Sequence, residues 1–263
     1  MDIAPAKLNL ALHVRGRLPD GRHQLETLFA FCVDGDRLWA EPGKGLTVTL
    51  GGPFGAALTG PNLVAAAATA LAKAAGGPAD ARIALEKNLP VAAGIGGGSA
   101  DAAAALRLLT ALWHIDPVHA ATVAPALGAD VPACLLSLTA RGTGAGDALA
   151  LVADRSLADR PVLLVNSGAA LATRDVFARW DGVDRGPLGD WREGRNDLEA
   201  PAISLVPAIA DVLEWLKRQA DADFVQMSGS GATCFALFDA AEARDAAAAA
   251  VPEHWWHLAT SLR

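Results

Sequence analysis

Apolar and polar positions alternate strictly over residues 7–14. Leu8, Leu10, Leu12 and Val14 fall on one face and Lys7, Asn9, Ala11 and His13 on the other, the period of a β-strand with one core face and one polar face pointing away from it. A turn over residues 15–22, centred on Pro19-Asp20-Gly21, separates it from residues 24–33, which predict a second strand, and residues 37–41 and 46–50 predict two more. The spacing then lengthens to that of helices. Residues 62–75 predict a helix, 82–86 a strand, and 101–113 and 118–127 two helices, the last ended by Gly128. The apolar run Pro161-Val162-Leu163-Leu164-Val165-Asn166 predicts a buried strand. Residues 171–179 and 205–219 predict helices, the second with Leu205, Ile209, Val212, Leu213 and Leu216 on one stripe. Residues 224–238 predict a strand, a Gly-Ser loop and a strand, and residues 240–250 a last helix before a final short strand. The class is α/β (α+β), and a boundary near residues 156–159 divides the chain into domains at 1–157 and 158–263. Neither an internal repeat nor a low-complexity linker is present.

Composition narrows the partners. The chain has 263 residues, 52% of them hydrophobic, enough for a sizeable core. Its formal charge is 22 minus 29, or −7, so there is no general basic field to recruit nucleic acid or an anionic membrane. Cys32, Cys134 and Cys234 are odd in number, widely spaced and free of any C-x-x-C pattern, which predicts reduced thiols in the core and not a disulfide framework or a zinc site. His254 and His257 stand three apart with no third ligand in view, the pattern of packing residues. No apolar run approaches the roughly 20 residues of a membrane span, and Pro5 and Lys7 interrupt the place of a signal peptide. These features predict a soluble, cytoplasmic protein with a small-molecule substrate, no nucleic acid, no membrane and no obligate protein partner.

The densest chemistry lies in Pro90-Val91-Ala92-Ala93-Gly94-Ile95-Gly96-Gly97-Gly98-Ser99-Ala100-Asp101, a glycine-rich loop that runs into an Ala-rich helix. Glycines let the backbone approach a ligand, and the first turn of a helix leaves N–H groups unpaired where the macrodipole is positive. A phosphate fits such a junction. It is not a P-loop, because no Lys or Arg lies between Lys87 and Arg107. Nor is it the dinucleotide fingerprint, since Gly94-x-Gly96-x-x-Ser99 puts serine in the third glycine position. Any positive charge must come from outside the loop.

The pattern P-x-x-x-G-x-G-G-G-S-A before a helix resembles the ATP loop of the GHMP kinases. Ala4-Pro5-Ala6-Lys7-Leu8-Asn9-Leu10, the segment Arg17-Leu18-Pro19-Asp20-Gly21-Arg22-His23-Gln24-Leu25-Glu26-Thr27-Leu28-Phe29, Asn62-Leu63-Val64, Leu127-Gly128-Ala129-Asp130-Val131-Pro132 and Ser228-Gly229-Ser230-Gly231-Ala232 resemble, in order and spacing, the branch of that superfamily acting on a cytidine diphosphate conjugate of methylerythritol. The resemblance covers essentially the whole chain. It implies a two-domain GHMP kinase fold, with an N-terminal ribosomal-protein-S5-like domain and a C-terminal ferredoxin-like domain, and phosphorylation of the 2-hydroxyl of that conjugate by ATP with Mg²⁺, on the non-mevalonate route to isoprenoid precursors.

Carried over by resemblance, Asp130 accepts the hydroxyl proton and Lys7 orients the hydroxyl and stabilises the moving phosphoryl group; phosphoryl transfer depends on positioning and electrostatics, which such a pair supplies. Asp130 also stands where it can cap a helix, between Gly128 and Pro132. The ATP contacts implied are Asn62, Pro90, Val91, Ala92, Ala93, Gly94, Ile95, Gly96, Gly97, Gly98, Ser99 and Ala100. Asn62 can equally be a helix N-cap, and Ser99 can cap the helix, bond a phosphate or approach Mg²⁺. Asp101 in the first turn suits the helix dipole. Gly229, Ser230 and Gly231 resemble the third GHMP motif, packed near the phosphate loop. On the acceptor side the resemblance implies Asn9, Arg22, His23, Phe29, Thr173 and Phe177. Arg22 stands where that branch commonly has tyrosine; its guanidinium can stack on a base, reach the pyrophosphate or face solvent. Phe29 and Phe177 can also serve the core.

Two other readings stay open on the residues: a GHMP kinase for another small alcohol, and a ribokinase-type sugar kinase, whose Gly-Ala-Gly-Asp is mimicked by Gly144-Ala145-Gly146-Asp147. The second requires a long helix after the tetrapeptide, and residues 148–152 look strand-like.

Overall fold

The computed structural model describes residues 1–60 and 62–263. Two compact units are present: one comprises Met1–Lys7, Asp34–Val91 and Gly96–Ser137, the other Leu8–Val33, Ala92–Ile95 and Leu138–Arg263. Two long strands, β1 (Asp2–Arg17) and β2 (His23–Pro42), pair with each other and pass from one unit into the other.

In the first unit, β3 (Leu46–Gly51) precedes α1 (Leu63–Ala75) and β4 (Ala81–Glu86). β4 pairs in parallel with β3 and antiparallel with the last six residues of β2. Then come α2 (Gly97–Leu112), α3 (Pro117–Leu127) and α4 (Val131–Leu136). α1 packs on α2 and α3, and α2 on α4; Ala-rich faces make this close approach possible, Ala67, Ala68, Ala103 and Ala104 being fully buried.

The second unit adds β5 (Ala140–Thr143) and β6 (Ala148–Leu151), a hairpin paired through β5 to Thr27, Leu28 and Phe29 of β2. No long helix follows Asp147, as the ribokinase-type reading requires. A second, fully antiparallel sheet is ordered β10-β7-β9-β8, from β7 (Pro161–Asn166), β8 (Ala222–Met227), β9 (Cys234–Phe238) and β10 (Trp256–Ser261), with α5 (Thr173–Ala178), α6 (Glu199–Leu205), α7 (Ala208–Lys217) and α8 (Ala241–Ala249) between them. Ile209, Val212, Leu213 and Leu216 of α7, Leu163 and Val165 of β7 and Phe238 of β9 form the core. The three cysteines are free and buried, as predicted.

Four local expectations are corrected. The polar face of β1 does not look outward: Lys7, Asn9 and His13 are each 3% exposed, so the strand is covered on both faces and its polar side chains have partners. Residues 24–33 and 37–41 form one strand, because the charged break at Asp34-Gly35-Asp36 is accommodated inside it. A Cβ on Gly35 would collide with the carbonyl of Ala4, and Asp36 is fully buried in an ion pair. α2 begins a turn earlier than the pattern suggests, at Gly97. The helix expected over 205–219 is shorter, Ala208–Lys217, and Leu205 instead ends the preceding helix α6, the two being separated at Val206 and Pro207, where proline has no N–H to continue the ladder.

Candidate active site

In the first unit, β1 carries Lys7 and the turn between α3 and α4 carries Asp130, and the two meet in an ion pair of 3.0 Å. The lysine side chain is 4% exposed and the aspartate 36%, so a buried ammonium holds a carboxylate that still reaches solvent. Asp130 occupies the N-cap position of α4 without capping it through its side chain, which removes the capping alternative. Beside this pair lies the start of α2. Its N-cap is Gly96, in the left-handed region at φ 64°, and no side chain caps the helix. A Cβ at Gly96 would lie 2.9 Å from Cε of Lys7, so glycine here lets the lysine stem pass against the loop. Ser99 is the third residue of the helix, not its cap. Its hydroxyl faces the turn before Asp130, since a Cβ on Gly128 would stand 4.0 Å from Oγ.

Beneath the same helix start lies a cluster that sequence pattern does not disclose. Lys87 Nζ donates to the carboxylates of Asp36 and Asp101, the latter at 2.7 Å, and all three residues are buried. Asp36 Oδ1 also accepts from the backbone N–H groups of Asn88 and Leu89, at 2.6 and 2.8 Å. A Cβ on Gly97 would lie 2.9 Å from Lys87 Nζ, so the ammonium sits directly under the first helical residue. Asp101 therefore does not serve the helix dipole from an exposed first turn, as its position suggests. Burial pushes its carboxyl up to about 7, against the opposing pull of Lys87 and with the help of Asp36. Burial alone would lower the Lys87 ammonium, but the two carboxylates outweigh it and raise it. One ammonium cannot neutralise two carboxylates, and Asp36 is the better served of the two. Asn62 caps α1, its Oδ1 accepting from Val64 N at 2.8 Å.

The second unit holds the rest. Asn9 donates through its backbone N–H to Ser228 Oγ at 3.2 Å and through Nδ2 to Thr27 Oγ1 at 2.7 Å. Ser228 Oγ donates to Gly94 O at 3.1 Å, and Thr233 N to Ala93 O at 3.1 Å. The Ser228 turn thus grips residues 93 and 94 of the glycine loop. Asn196, which no sequence signal singles out, donates to Met227 O at 2.8 Å and Gly229 O at 2.7 Å and fixes that turn. Thr173 Oγ1 and Ser230 Oγ share a hydrogen bond of 2.9 Å.

Gly94 is at φ 77°, and a Cβ there would come within 2.6 Å of the carbonyl oxygens of Gly231 and Ser228. Gly94→Ala is therefore expected to destabilise the protein by about 1–3 kcal/mol. Gly98→Ala, whose Cβ would meet only Leu63 Cδ1 at 3.5 Å, should be neutral or stabilising by up to about 1 kcal/mol. Urea unfolding of the two variants checks the contrast, and equal stability for both would contradict it.

Among the acceptor-side residues, His23 and Phe177 come together, their rings stacked at 4.6 Å between centroids and 29°. Trp180, absent from the sequence-based set, meets His23 edge-on at 5.6 Å and 84°. Burial first, then the charge of Arg17, lowers the His23 pKa, which keeps the ring neutral at pH 7. Arg22 lies exposed, bonded to Asp20 at 2.8 Å and Asp147 at 3.2 Å, so it is clipped to two carboxylates and is not stacked on a ring. Phe29 is 1% exposed and lies against Gly142 in the core. Among the described residues, no group of three or more His, Cys, Asp or Glu is placed to hold a metal ion, and no helix is long and apolar enough to cross a membrane.

Residues 62–137 match the family described as GHMP kinases N terminal domain and residues 183–255 that described as GHMP kinases C terminal. The chain is 52% identical to the 4-diphosphocytidyl-2-C-methyl-D-erythritol kinase of Rhizorhabdus wittichii over 277 residues, covering all of this chain and 94% of that one. It is 51% identical to the kinase of the same name from Novosphingobium aromaticivorans, covering all of this chain and 92% of that one. A crystal structure of 4-(cytidine 5'-diphospho)-2C-methyl-D-erythritol kinase superposes with a TM-score of 0.85 at 35% identity, over 99% of this chain and 98% of the other. The Methanococcus jannaschii mevalonate kinase, at 8% identity and a TM-score of 0.72 over 98% of this chain and 96% of its own, shares the fold.

Proposed function

The chain belongs to the GHMP kinases, and within them to the branch of the 4-diphosphocytidyl-2-C-methyl-D-erythritol kinases; from that premise we propose that it transfers the γ-phosphoryl group of ATP to the 2-hydroxyl of 4-diphosphocytidyl-2-C-methyl-D-erythritol. The observation that carries the reading is the 3.0 Å Lys7–Asp130 pair beside the uncapped start of α2. Asp130 accepts the hydroxyl proton as the oxygen–phosphorus bond forms and ADP departs. Lys7 holds the carboxylate in place and offers its charge to the transferring group, the division of labour that a loose transition state asks of a protein. The N–H groups that open α2 bind phosphate oxygens, helped by the dipole. Asn62 is proposed to contact the adenine from the start of α1, and His23, Phe177 and Thr173 to receive the cytidine end.

Magnesium accepts one or two protein oxygens when a triphosphate supplies the rest, and the Ser99 hydroxyl beside the Asp130 turn is such a donor. When bound there, the ion would neutralise phosphate charge. A boundary at 157/158 is supported by the β10-β7-β9-β8 sheet, every strand of which lies within residues 161–261. Three free thiols accord with the cytoplasm.

The test is ADP release with 4-diphosphocytidyl-2-C-methyl-D-erythritol set against homoserine, mevalonate and ribose. Turnover confined to the cytidylated acceptor is expected. Turnover of homoserine or mevalonate in its place would reassign the chain within the superfamily.

A further inference from the structure

The glycine loop joins β4 to α2 through backbone that is costly to hold. In the stretch from Pro90 to Gly96, Ala92, Gly94 and Gly96 sit in the left-handed region at φ 54°, 77° and 64°. Ala92 does so with a Cβ, at a cost that glycine avoids. Such backbone keeps one shape only where its surroundings impose it. The Ser228 turn holds the middle of the loop, and both of its ends meet on the Lys87 cluster.

At the incoming end, Asp36 of β2 accepts from the N–H groups of Asn88 and Leu89 and from Lys87 Nζ. At the outgoing end the same Nζ donates at 2.7 Å to Asp101, one turn into α2. A chain of three side chains thus runs from β2 through residue 87 to residue 101 and closes the base of the loop. The first helical residue rests on it: a Cβ on Gly97 would stand 2.9 Å from Lys87 Nζ, 3.7 Å from Asp36 Oδ2 and 3.9 Å from Leu89 Cβ.

Stability alone does not account for the third member. Lys87 and Asp36 would already form a balanced pair, and a second buried carboxylate brings a desolvation cost that a shared ammonium offsets only in part. Asp101 Oδ1, moreover, is buried without a hydrogen-bond partner among the described residues. Rules of polar satisfaction are broken in this way chiefly at functional sites. What Asp101 adds is the tie between Lys87 and α2, whose start carries no side-chain cap and leaves its N–H groups to a ligand.

We propose that Lys87 is a positioning residue for nucleotide binding: held between Asp36 and Asp101, it clasps both ends of the glycine loop and fixes the opening amides of α2 where phosphate oxygens meet them. Lys87 is buried and acts through the loop, not by touching substrate. The inference deepens the ATP site proposed above and rests on it.

Lys87→Met removes the clasp at a large cost in stability, so the test is made on Asp101, whose loss leaves Lys87 and Asp36 paired. Calorimetric titration of the full chain with a non-hydrolysable ATP analogue and Mg²⁺ reads nucleotide affinity, and steady-state kinetics reads the KM for each substrate. In Asp101→Ala, affinity for the analogue is expected to fall about tenfold and the KM for ATP to rise by a similar factor, the scale of one lost charge-assisted bond that preorganised the site. The KM for the cytidylated acceptor should stay the same, a split that general loosening of the fold does not produce. Asp101→Asn, whose amide oxygen still accepts from Lys87 Nζ, should bring affinity back to within about twofold of the unaltered protein. Undiminished affinity in Asp101→Ala would overturn the inference and leave the ATP site standing. An equal loss in Asp101→Asn and Asp101→Ala would also overturn it, by tying binding to the charge of the carboxylate and not to the clasp. Equal losses for ATP and acceptor would make the cluster a purely structural element and overturn the positioning role. An unaltered chain that binds no analogue would overturn the ATP site itself, and the inference with it.

Discussion

Asp130→Asn should reduce kcat by about a hundredfold to ten-thousandfold, the range that a positioned general base contributes, and leave nucleotide affinity unchanged. The side chain keeps its size and one oxygen toward Lys7, so the 3.0 Å contact can persist as a hydrogen bond. The lost capacity is that of taking a proton from the acceptor hydroxyl. The groups proposed to bind phosphate are the backbone amides that open α2, which the substitution leaves unaltered, and that is why ATP should still bind. ADP release under saturating acceptor reports the first effect, and titration with a non-hydrolysable ATP analogue the second. Near-normal turnover would remove Asp130 from the chemistry; lost nucleotide binding would make it a ligand for ATP and not a base.

How much of this was legible in the sequence depends on whether a signal was local. The alternation at residues 7–14, the apolar run at 161–166 and the stripe on α7 each report a core face, and the corresponding elements form within a few residues of the expected bounds. Side-chain pairings over long separations leave no such trace. Lys87 meets Asp36, 51 positions away, and Asn196 meets Gly229, 33 away; nothing in spacing or composition joins them. A lysine that continues the inward-facing alternation of a strand, as Lys87 does after Ala81, Ile83 and Leu85, is the one available hint, and it says that a partner exists without saying which. Trp180 was missed for a different reason. A lone tryptophan after a short helix reads as packing, and only its edge-on contact with the His23 ring places it in that cluster. The early start of α2 follows from the same limit. Four glycines in five positions argue for a loop, and only the tertiary seat over Lys87 and Lys7 makes helix the better state for Gly97 and Gly98.

The buried cluster under that helix should answer unequally to removal of its members. Lys87→Met is expected to cost about 3–5 kcal/mol, because it leaves two carboxylates in a dry site with no ammonium between them. Asp101→Asn should cost far less, about 1 kcal/mol or under. The Asp101 carboxyl is already pushed up to about 7, so near neutral pH it is half-protonated, and an amide of the same shape can still accept from Lys87. The two variants should also differ in their response to pH. A folded-state value raised above the ordinary 3.8 means that the native protein holds a proton which the unfolded chain releases, so this group's contribution to stability is full below about 4 and declines as pH rises through about 7. Asp101→Asn abolishes that decline, and its stability relative to the unaltered protein should therefore improve between pH 5 and pH 8. Urea unfolding of the three proteins across that range decides the matter. A cost for Asp101→Asn equal to that of Lys87→Met, constant with pH, would mean that both carboxylates are fully ionised beneath the phosphate loop and that the cluster carries a net negative charge there.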